Sequence, residues 1–287
     1  MKPAAFDYVA ARSVAEALDA LAADPDETKV IAGGQSLVPM LAFRLARPGR
    51  LLDINKIAEL SGVTSDGTTV TVGTTTRHRT LERSGLDSPL GHLFRAAGSQ
   101  IGHLPIRTRG TFGGSVAHSD AASEWCVLAA LLDARVTVTS AHRGTRTIEA
   151  ADFFRSLFTT AMEPDELLLH VELPELEHDW VTGFTEVARR AGDFGIVTVA
   201  TAVRIVDGVV DEARVAIGGV ADIPFRSSAA EEVLIGATWE PGIVTLAADA
   251  AADEVNPPSD SQGSADYRRG LVQALVPRSL TQMLVTT

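Results

Sequence analysis

Apolar positions recur at helical spacing over residues 14–23, and the run Ser13-Val-Ala-Glu16 in front of them is a capping-box pattern that marks the start of a helix. The short apolar run 28–32 reads as a buried strand, 37–45 returns to helical spacing, and 51–54 reads as a second short strand. Further on, residues 62–73 carry the hairpin signal Asp66-Gly67, and helical stretches flank Leu90. A helix is expected over 120–132, opened by an acidic residue, and 135–148 reads as a hairpin turning near Arg143-Gly144. The last third predicts strands over 198–205 and 209–218 meeting at Asp207-Gly208, then helices over 226–235, 242–253 and 265–276. Residues 256–263 form the loop before the last helix. This is an α+β pattern in three parts, with boundaries at 1–56, 57–177 and 178–287.

Two glycine-bearing turns interrupt this pattern in the same way: Ala32-Gly33-Gly34-Gln35-Ser36 and Thr111-Phe112-Gly113-Gly114-Ser115. A lone Gly-Gly pair is most often only a turn. Two pairs, each flanked by small residues and each leading toward a helical run, read instead as a cradle for a diphosphate. Glycine admits positive φ and lets a ligand approach the main chain, so successive N–H groups can face an anion, with Ser36, Thr111 and Ser115 adding hydroxyls. Lys29 reads equally as an anion contact and as an ordinary strand-edge lysine. Neither turn fits the P-loop or the Rossmann fingerprint.

Composition narrows the chemistry. At 287 residues with 45% hydrophobic content, the chain is long enough for more than one packed unit. No apolar run approaches membrane-spanning length and the start lacks a signal-peptide core, so a cytoplasmic protein is expected. A net charge of −12 argues against nucleic acid and anionic membranes and leaves an anionic ligand dependent on local dipoles. Cys126 is the only cysteine, so the chain supplies neither a disulfide nor an iron–sulfur cluster; within Glu124-Trp-Cys-Val-Leu it reads as packing. The seven histidines show no metal-ligand spacing, and the carboxylate clusters read as solvated. His103 and His118 bracket the second turn and are expected to hydrogen-bond its main chain. No catalytic constellation and no metal site are expected.

With these residues in view, Lys29-Val-Ile-Ala-Gly-Gly-Gln-Ser-Leu-Val-Pro-Met40, Ile101-Gly-His, Arg107-Thr-Arg-Gly-Thr-Phe-Gly-Gly-Ser115 and Arg189-Arg-Ala-Gly-Asp-Phe194 resemble the FAD-binding medium subunit of molybdenum hydroxylases, of the carbon monoxide dehydrogenase and xanthine dehydrogenase type. The resemblance extends over nearly the whole chain. It implies a two-part FAD domain of the p-cresol methylhydroxylase and vanillyl-alcohol oxidase type, followed by a C-terminal domain with a small antiparallel sheet and helices. FAD would lie between the first two parts and the third.

By the same resemblance Lys29, Val30, Ile31, Ala32, Gly33, Gly34, Gln35 and Ser36, with Thr111, Phe112, Gly113, Gly114 and Ser115, hold the diphosphate. Ile101 and Gly102 lie near the ring system, Glu124 near the ADP portion, Leu168 at another cofactor contact, and Phe194 at the isoalloxazine. Phe194 reads equally as core packing. Gln35 stands where covalent relatives of this FAD fold attach the flavin through a histidine, so the FAD is expected to be non-covalent. Thr185 stands where some relatives carry a lysine and receives no role.

The implied function is electron transfer. FAD would collect electrons from the 2Fe-2S clusters of a small subunit and pass them to an external acceptor, while a molybdopterin large subunit oxidises the substrate. The family assembly is a heterohexamer. Carbon monoxide, an aldehyde, a purine and an N-heteroaromatic remain open as substrates. Two other readings are a self-sufficient flavin oxidase or reductase and an interaction subunit that has lost FAD.

Overall fold

The Ser13 hydroxyl accepts from the Glu16 N–H at 3.2 Å and the Glu16 carboxylate accepts from the Arg12 N–H at 2.8 Å, so the capping signal does start α1 (Val14–Ala23). A computed structural model describes residues 2–282 of the chain. Ala17 and Leu21 of α1 pack with Leu52 against a parallel three-stranded sheet of order β1-β3-β2, made by β1 (Asp7–Ala10), β2 (Thr28–Ile31) and β3 (Arg50–Asp53). The pattern of apolar positions missed β1 because Asp7, Tyr8 and Val9 of this edge strand are all exposed. Beyond β2, residues 32–36 lead into α2 (Leu37–Ala42), which stops short of the expected end at 45. Arg44 takes φ +58 there and the chain leaves the helical path.

The single turn Ala58–Leu60 connects to the second unit. β4 (Val63–Ser65) and β5 (Thr69–Gly73) form the expected Asp66-Gly67 hairpin, with Gly67 at φ +92. Five helices follow: α3 (His78–Glu82), α4 (Pro89–Gln100), α5 (Leu104–Arg107), α6 (Phe112–His118) and α7 (Glu124–Leu131). α7 begins at Glu124 rather than at Asp120. The Asp120 carboxylate accepts from the Ala122 N–H at 3.0 Å and its carbonyl from the Ser123 N–H at 2.9 Å, which makes a turn of the residues expected to open the helix.

β6 (Arg135–Ser140) and β7 (Gly144–Glu149) form the second expected hairpin. After α8 (Ala150–Phe153) and the small hairpin of β8 (Phe154–Ser156) and β9 (Thr159–Thr160), β10 (Leu167–Pro174) inserts between β5 and β6. The result is an antiparallel five-stranded sheet of order β4-β5-β10-β6-β7.

The third unit is an antiparallel sheet in sequence order: β11 (Trp180–Ala188), β12 (Gly195–Val206), β13 (Val209–Gly218) and β14 (Phe225–Arg226). The helices α9 (Ser228–Leu234), α10 (Pro241–Glu254) and α11 (Ala265–Gln282) pack with it. The expected end of the last helix at 276 is wrong, because α11 continues through Pro277. The ring removes one N–H, but Ser279 and Leu280 beyond it are fully buried and the Ser279 hydroxyl pairs with that of Thr201 at 2.9 Å, so packing holds the extra turn.

The third sheet is seated on the second unit rather than tethered to it. Phe184, Ala200 and Ala216 share one apolar cluster with Phe94, Trp125 and Leu168, and the Thr182 hydroxyl donates to the Pro89 carbonyl at 3.2 Å. Among the described residues no helix is long and apolar enough to cross a membrane.

Candidate functional site

The first glycine turn leaves β2 with its amides free. Among the described residues, the N–H groups of Gly33, Gly34, Gln35, Ser36 and Leu37 have no acceptor, and neither has the Ser36 hydroxyl. The Gln35 side chain donates to the Gly33 carbonyl at 2.7 Å and Gly34 sits at φ +69, a conformation that closes the turn. Unpaired main-chain donors in sequence form an anion-binding concavity. Val30 and Ala32 pack on the α1 core, so these two members of the expected set contribute backbone position and not side-chain contact.

The second turn differs from its expected form. Residues 112–115 are the first turn of α6, and all four of their amides are already used. Phe112 N–H donates to the Thr76 carbonyl, Gly113 N–H to the Thr74 carbonyl, Gly114 N–H to the Thr111 hydroxyl and Ser115 N–H to the Thr111 carbonyl. The Phe112 side chain is fully buried against Trp125, with ring centroids 5.3 Å apart. What this turn offers an anion is the Ser115 hydroxyl and close approach. A Cβ on Gly113 would stand 2.0 Å from the Thr74 hydroxyl, which shows how tightly α6 sits on the buried Thr74-Thr75-Thr76 floor. The repetition of glycines in the sequence concealed two different duties, free donors in one turn and packing in the other.

The two turns touch. A Cβ on Gly33 would lie 2.4 Å from the Arg109 carbonyl oxygen and 2.6 Å from the Gly110 Cα. A polar strut fixes this contact. Asn55 donates to the Ala32 carbonyl at 2.7 Å and accepts at 2.8 Å from Arg77, and Arg77 also donates to the Arg109 carbonyl. Tyr8 and Asp53 buttress Asn55 from the neighbouring strands. Burial, and then the charge of Arg109, draw the Arg77 guanidinium below the ordinary arginine range. The Arg77 guanidinium, bonded to the carbonyl that meets Gly33, therefore stands beside the free amides, a local positive charge in a chain of net charge −12. No spacing in the sequence joins Asn55, Arg77 and Arg109.

The pKa of His118, at the end of α6, is lowered by burial first and by the charge of Lys29 as a smaller effect. Lys29 itself is exposed. His118 stacks on Phe158 at 4.8 Å, and the ring of His103 packs on Gly192. Among the described residues neither histidine hydrogen-bonds the second turn, contrary to expectation. The supporting histidine is His78. A Cβ on Gly110 would come within 2.4 Å of its Nε2, and its Nδ1 accepts from the Trp125 indole N–H at 2.8 Å.

Burial, with smaller contributions from Arg77 and Arg107, lowers the His78 pKa to about 4. A histidine held neutral in the fold stabilises it above pH 6.5, and that contribution is lost as pH falls toward 4. The difference amounts to about 3 kcal/mol. We expect the stability gap between the wild type and His78→Gln to close between pH 6.5 and pH 4 in denaturant titrations. A constant gap would mean that His78 titrates normally.

The residues expected at the ring end fall at the junction of the second and third units. Ile101 caps α4 and is 8% exposed, and Gly102 follows at φ +48. The turn between β11 and β12 closes on them, since a Cβ on Gly192 would meet the His103 ring at 2.9 Å and the Gly102 carbonyl carbon at 3.0 Å. Phe194 in that turn is 54% exposed, which excludes the core-packing reading. Thr185 is buried and donates to the Leu275 carbonyl at 3.3 Å, a tie between β11 and α11. Leu168 is buried in the central core opposite Val138; its neighbour Leu169 accepts from the Thr74 N–H at 3.0 Å, which connects this strand to the threonine floor.

Glu124 opens α7 and is 3% exposed. Burial first, and the negative charge of Glu186 on β11 second, raise its pKa well above the ordinary carboxyl range, and burial raises that of Glu186. Cys126 is fully buried, burial pushes its thiol up, and Sγ lies 3.4 Å from the Ser115 carbonyl, as a packing residue would.

The geometry has known counterparts. The model of the FAD binding domain in molybdopterin dehydrogenase matches residues 4–176, and that of the CO dehydrogenase flavoprotein C-terminal domain matches residues 182–283. The nicotine 6-hydroxylase medium subunit of Paenarthrobacter nicotinovorans is 39% identical over 98% of each chain. The glyceraldehyde dehydrogenase medium chain of Sulfolobus acidocaldarius is 36% identical over 99% of this chain and 100% of its own. Carbon monoxide dehydrogenase from Hydrogenophaga pseudoflava, in a form lacking the Mo-pyranopterin moiety, superposes with a TM-score of 0.95 at 32% identity over 99% of each chain.

Proposed function

We propose, from the premise that this chain belongs to the family of FAD-binding subunits of molybdenum-containing dehydrogenases, that it takes electrons from the 2Fe-2S clusters of a small subunit and passes them to an external acceptor. The observation that carries this reading is the run of unpaired amides from Gly33 to Leu37, set against the Arg109-Gly110 main chain just before α6, with the Arg77 guanidinium alongside. Such donors suit a diphosphate in a protein whose net charge repels one. Bound FAD supplies a carrier that accepts electrons singly and releases them as a pair.

The chain's own residues hold and position that carrier. In this reading Lys29, the turn 32–36 and Ser115 receive the diphosphate, with Thr111, Phe112, Gly113 and Gly114 shaping the turn. Ile101, Gly102 and Phe194 border the ring, and Glu124 and Leu168 complete the site. With its one thiol buried, the chain leaves iron–sulfur and molybdenum chemistry to partner subunits in a cytoplasmic assembly. The nicotine and glyceraldehyde named for relatives mark the substrate classes to try, and the substrate pocket belongs to the large subunit.

The purified chain is expected to show flavin absorption, and acid precipitation should release all of it as FAD, since Gln35 offers no covalent attachment. The flavin should stay oxidised with substrate alone and become reduced once the small and large subunits are added. Reduction of the isolated chain by a small substrate would instead establish a self-sufficient oxidase, and no flavin uptake under any condition would favour an interaction subunit.

A further inference from the structure

The guanidinium that bridges the two turns is held by neutral oxygens alone. Nη1 of Arg77 donates to the Arg109 carbonyl, and Nη2 donates to the Asn55 Oδ1 at 2.8 Å. Among the described residues neither Arg77 nor Arg109 enters an ion pair. The charge of Asp53 reaches Arg77 only as the smallest of three effects, behind burial and the repulsion of Arg109. The position of Arg77 is fixed from both sides. Its main chain pairs with Thr111 of the second turn, between the bond from the Phe112 N–H to the Thr76 carbonyl at 2.8 Å and that from the His78 N–H to the Gly110 carbonyl at 3.1 Å. On the other side the Asn55 Nδ2 donates to the Ala32 carbonyl at 2.7 Å and to the Asp53 Oδ1 at 2.6 Å, which leaves its Oδ1 to face Arg77. Against the effect of burial, the hydrogen bonds from the Tyr8 hydroxyl and from Asn55 hold the Asp53 carboxyl below its ordinary range, so it stays an acceptor and keeps the Asn55 amide turned this way.

A half-buried cation with only neutral partners keeps its charge for a further anion. The carbonyl that Arg77 grips is the one that meets Gly33, where the run of unpaired amides begins. We propose that Arg77 is the positioning countercharge of the flavin diphosphate: oriented by Asn55 and Asp53, it draws the two turns together and sets its charge beside the anion they receive. The inference rests on the FAD reading above and deepens it, adding Asn55 and Asp53 as positioning residues that act through Arg77. A neutral strut would hold the turns equally well, so the charge is the part assigned to the ligand.

The test is FAD titration of the flavin-stripped full chain, together with the rise of its unfolding temperature in inorganic pyrophosphate. Pyrophosphate should stabilise the wild type. Arg77→Gln, which keeps an amide donor without the charge, should bind FAD about tenfold or more weakly and lose the pyrophosphate shift. The gap in FAD affinity between the two should shrink at high salt, a response that a purely structural strut does not give. Arg77→Lys restores the charge without the planar fork and should recover the pyrophosphate shift and part of the FAD affinity. Asn55→Asp sets a carboxylate against Arg77 and should weaken FAD as Arg77→Gln does; if Arg77→Gln does not fold, these two variants carry the same comparison. Full FAD affinity or an intact pyrophosphate shift in Arg77→Gln or Asn55→Asp, a gap insensitive to salt, or no recovery in Arg77→Lys would overturn the countercharge and leave the FAD reading standing. A wild type stabilised by pyrophosphate that takes up no flavin would refute the FAD reading and leave Arg77 as the countercharge of another diphosphate.

Discussion

Gly33→Ala is expected to empty most of the flavin site while the chain stays folded. The added methyl would stand 2.4 Å from the Arg109 carbonyl oxygen and 2.6 Å from the Gly110 Cα. Both neighbours are backbone, so no rotamer change relieves the contact, and the two turns must separate. Overpacking of this kind costs about 2 kcal/mol, equivalent to roughly 30-fold in affinity if it falls on the bound form. The strut from Ala32 through Asn55 and Arg77 to Arg109 spans the same gap and is stretched with it.

A comparison variant separates site from fold. Gly67→Ala forces an alanine into φ +92 in an open hairpin with nothing within 4 Å, so it should lower stability and leave FAD untouched. Flavin content per chain and FAD titration of both variants decide the matter. Full occupancy in Gly33→Ala would remove the two-turn cradle from consideration.

Trp125→Ala is expected to destabilise the chain by about 3–5 kcal/mol. Trp125 has no exposed surface and sits among Phe94, Phe112 and His78, with ring centroids at 6.1, 5.3 and 6.0 Å. Trp125→Phe is the more telling change. It keeps an aromatic ring but removes the indole donor, leaving the buried His78 Nδ1 unpaired at a cost of about 1–3 kcal/mol. His78 supports Gly110, and Gly110 meets Gly33, so the loss should reach the flavin site through contact alone. We expect a lower unfolding midpoint together with weaker FAD binding in Trp125→Phe. A drop in stability with unchanged FAD affinity would confine Trp125 to the core.

The second glycine turn shows where reading residues in order gives a wrong detail. Thr111 to Ser115 looks like a copy of Ala32 to Ser36, yet four of its amides are bonded to the threonine floor or to Thr111, while those of the first turn are free. The difference lies in Thr74 and Thr76, far away in sequence, whose carbonyls take up the donors. Similarly, Phe112 belongs to the expected cofactor set by position, but Trp125 draws its ring into the core.

Local physics explains what the sequence by itself determined: α1 with its Ser13 cap, the hairpins at Asp66-Gly67, Arg143-Gly144 and Asp207-Gly208, and the first turn with its glycines. In each case propensity, capping or φ preference acts within a few residues and needs no distant partner. The motifs also sufficed to identify the family. Only the tertiary structure decided which amides stay free, that Asn55, Arg77 and His78 support the turns, and that α11 runs through Pro277. Those outcomes depend on close approach between residues far apart in the chain. Burial there sets the cost of an unpaired donor, a second charge or an extra methyl, and no pattern along the chain records that cost.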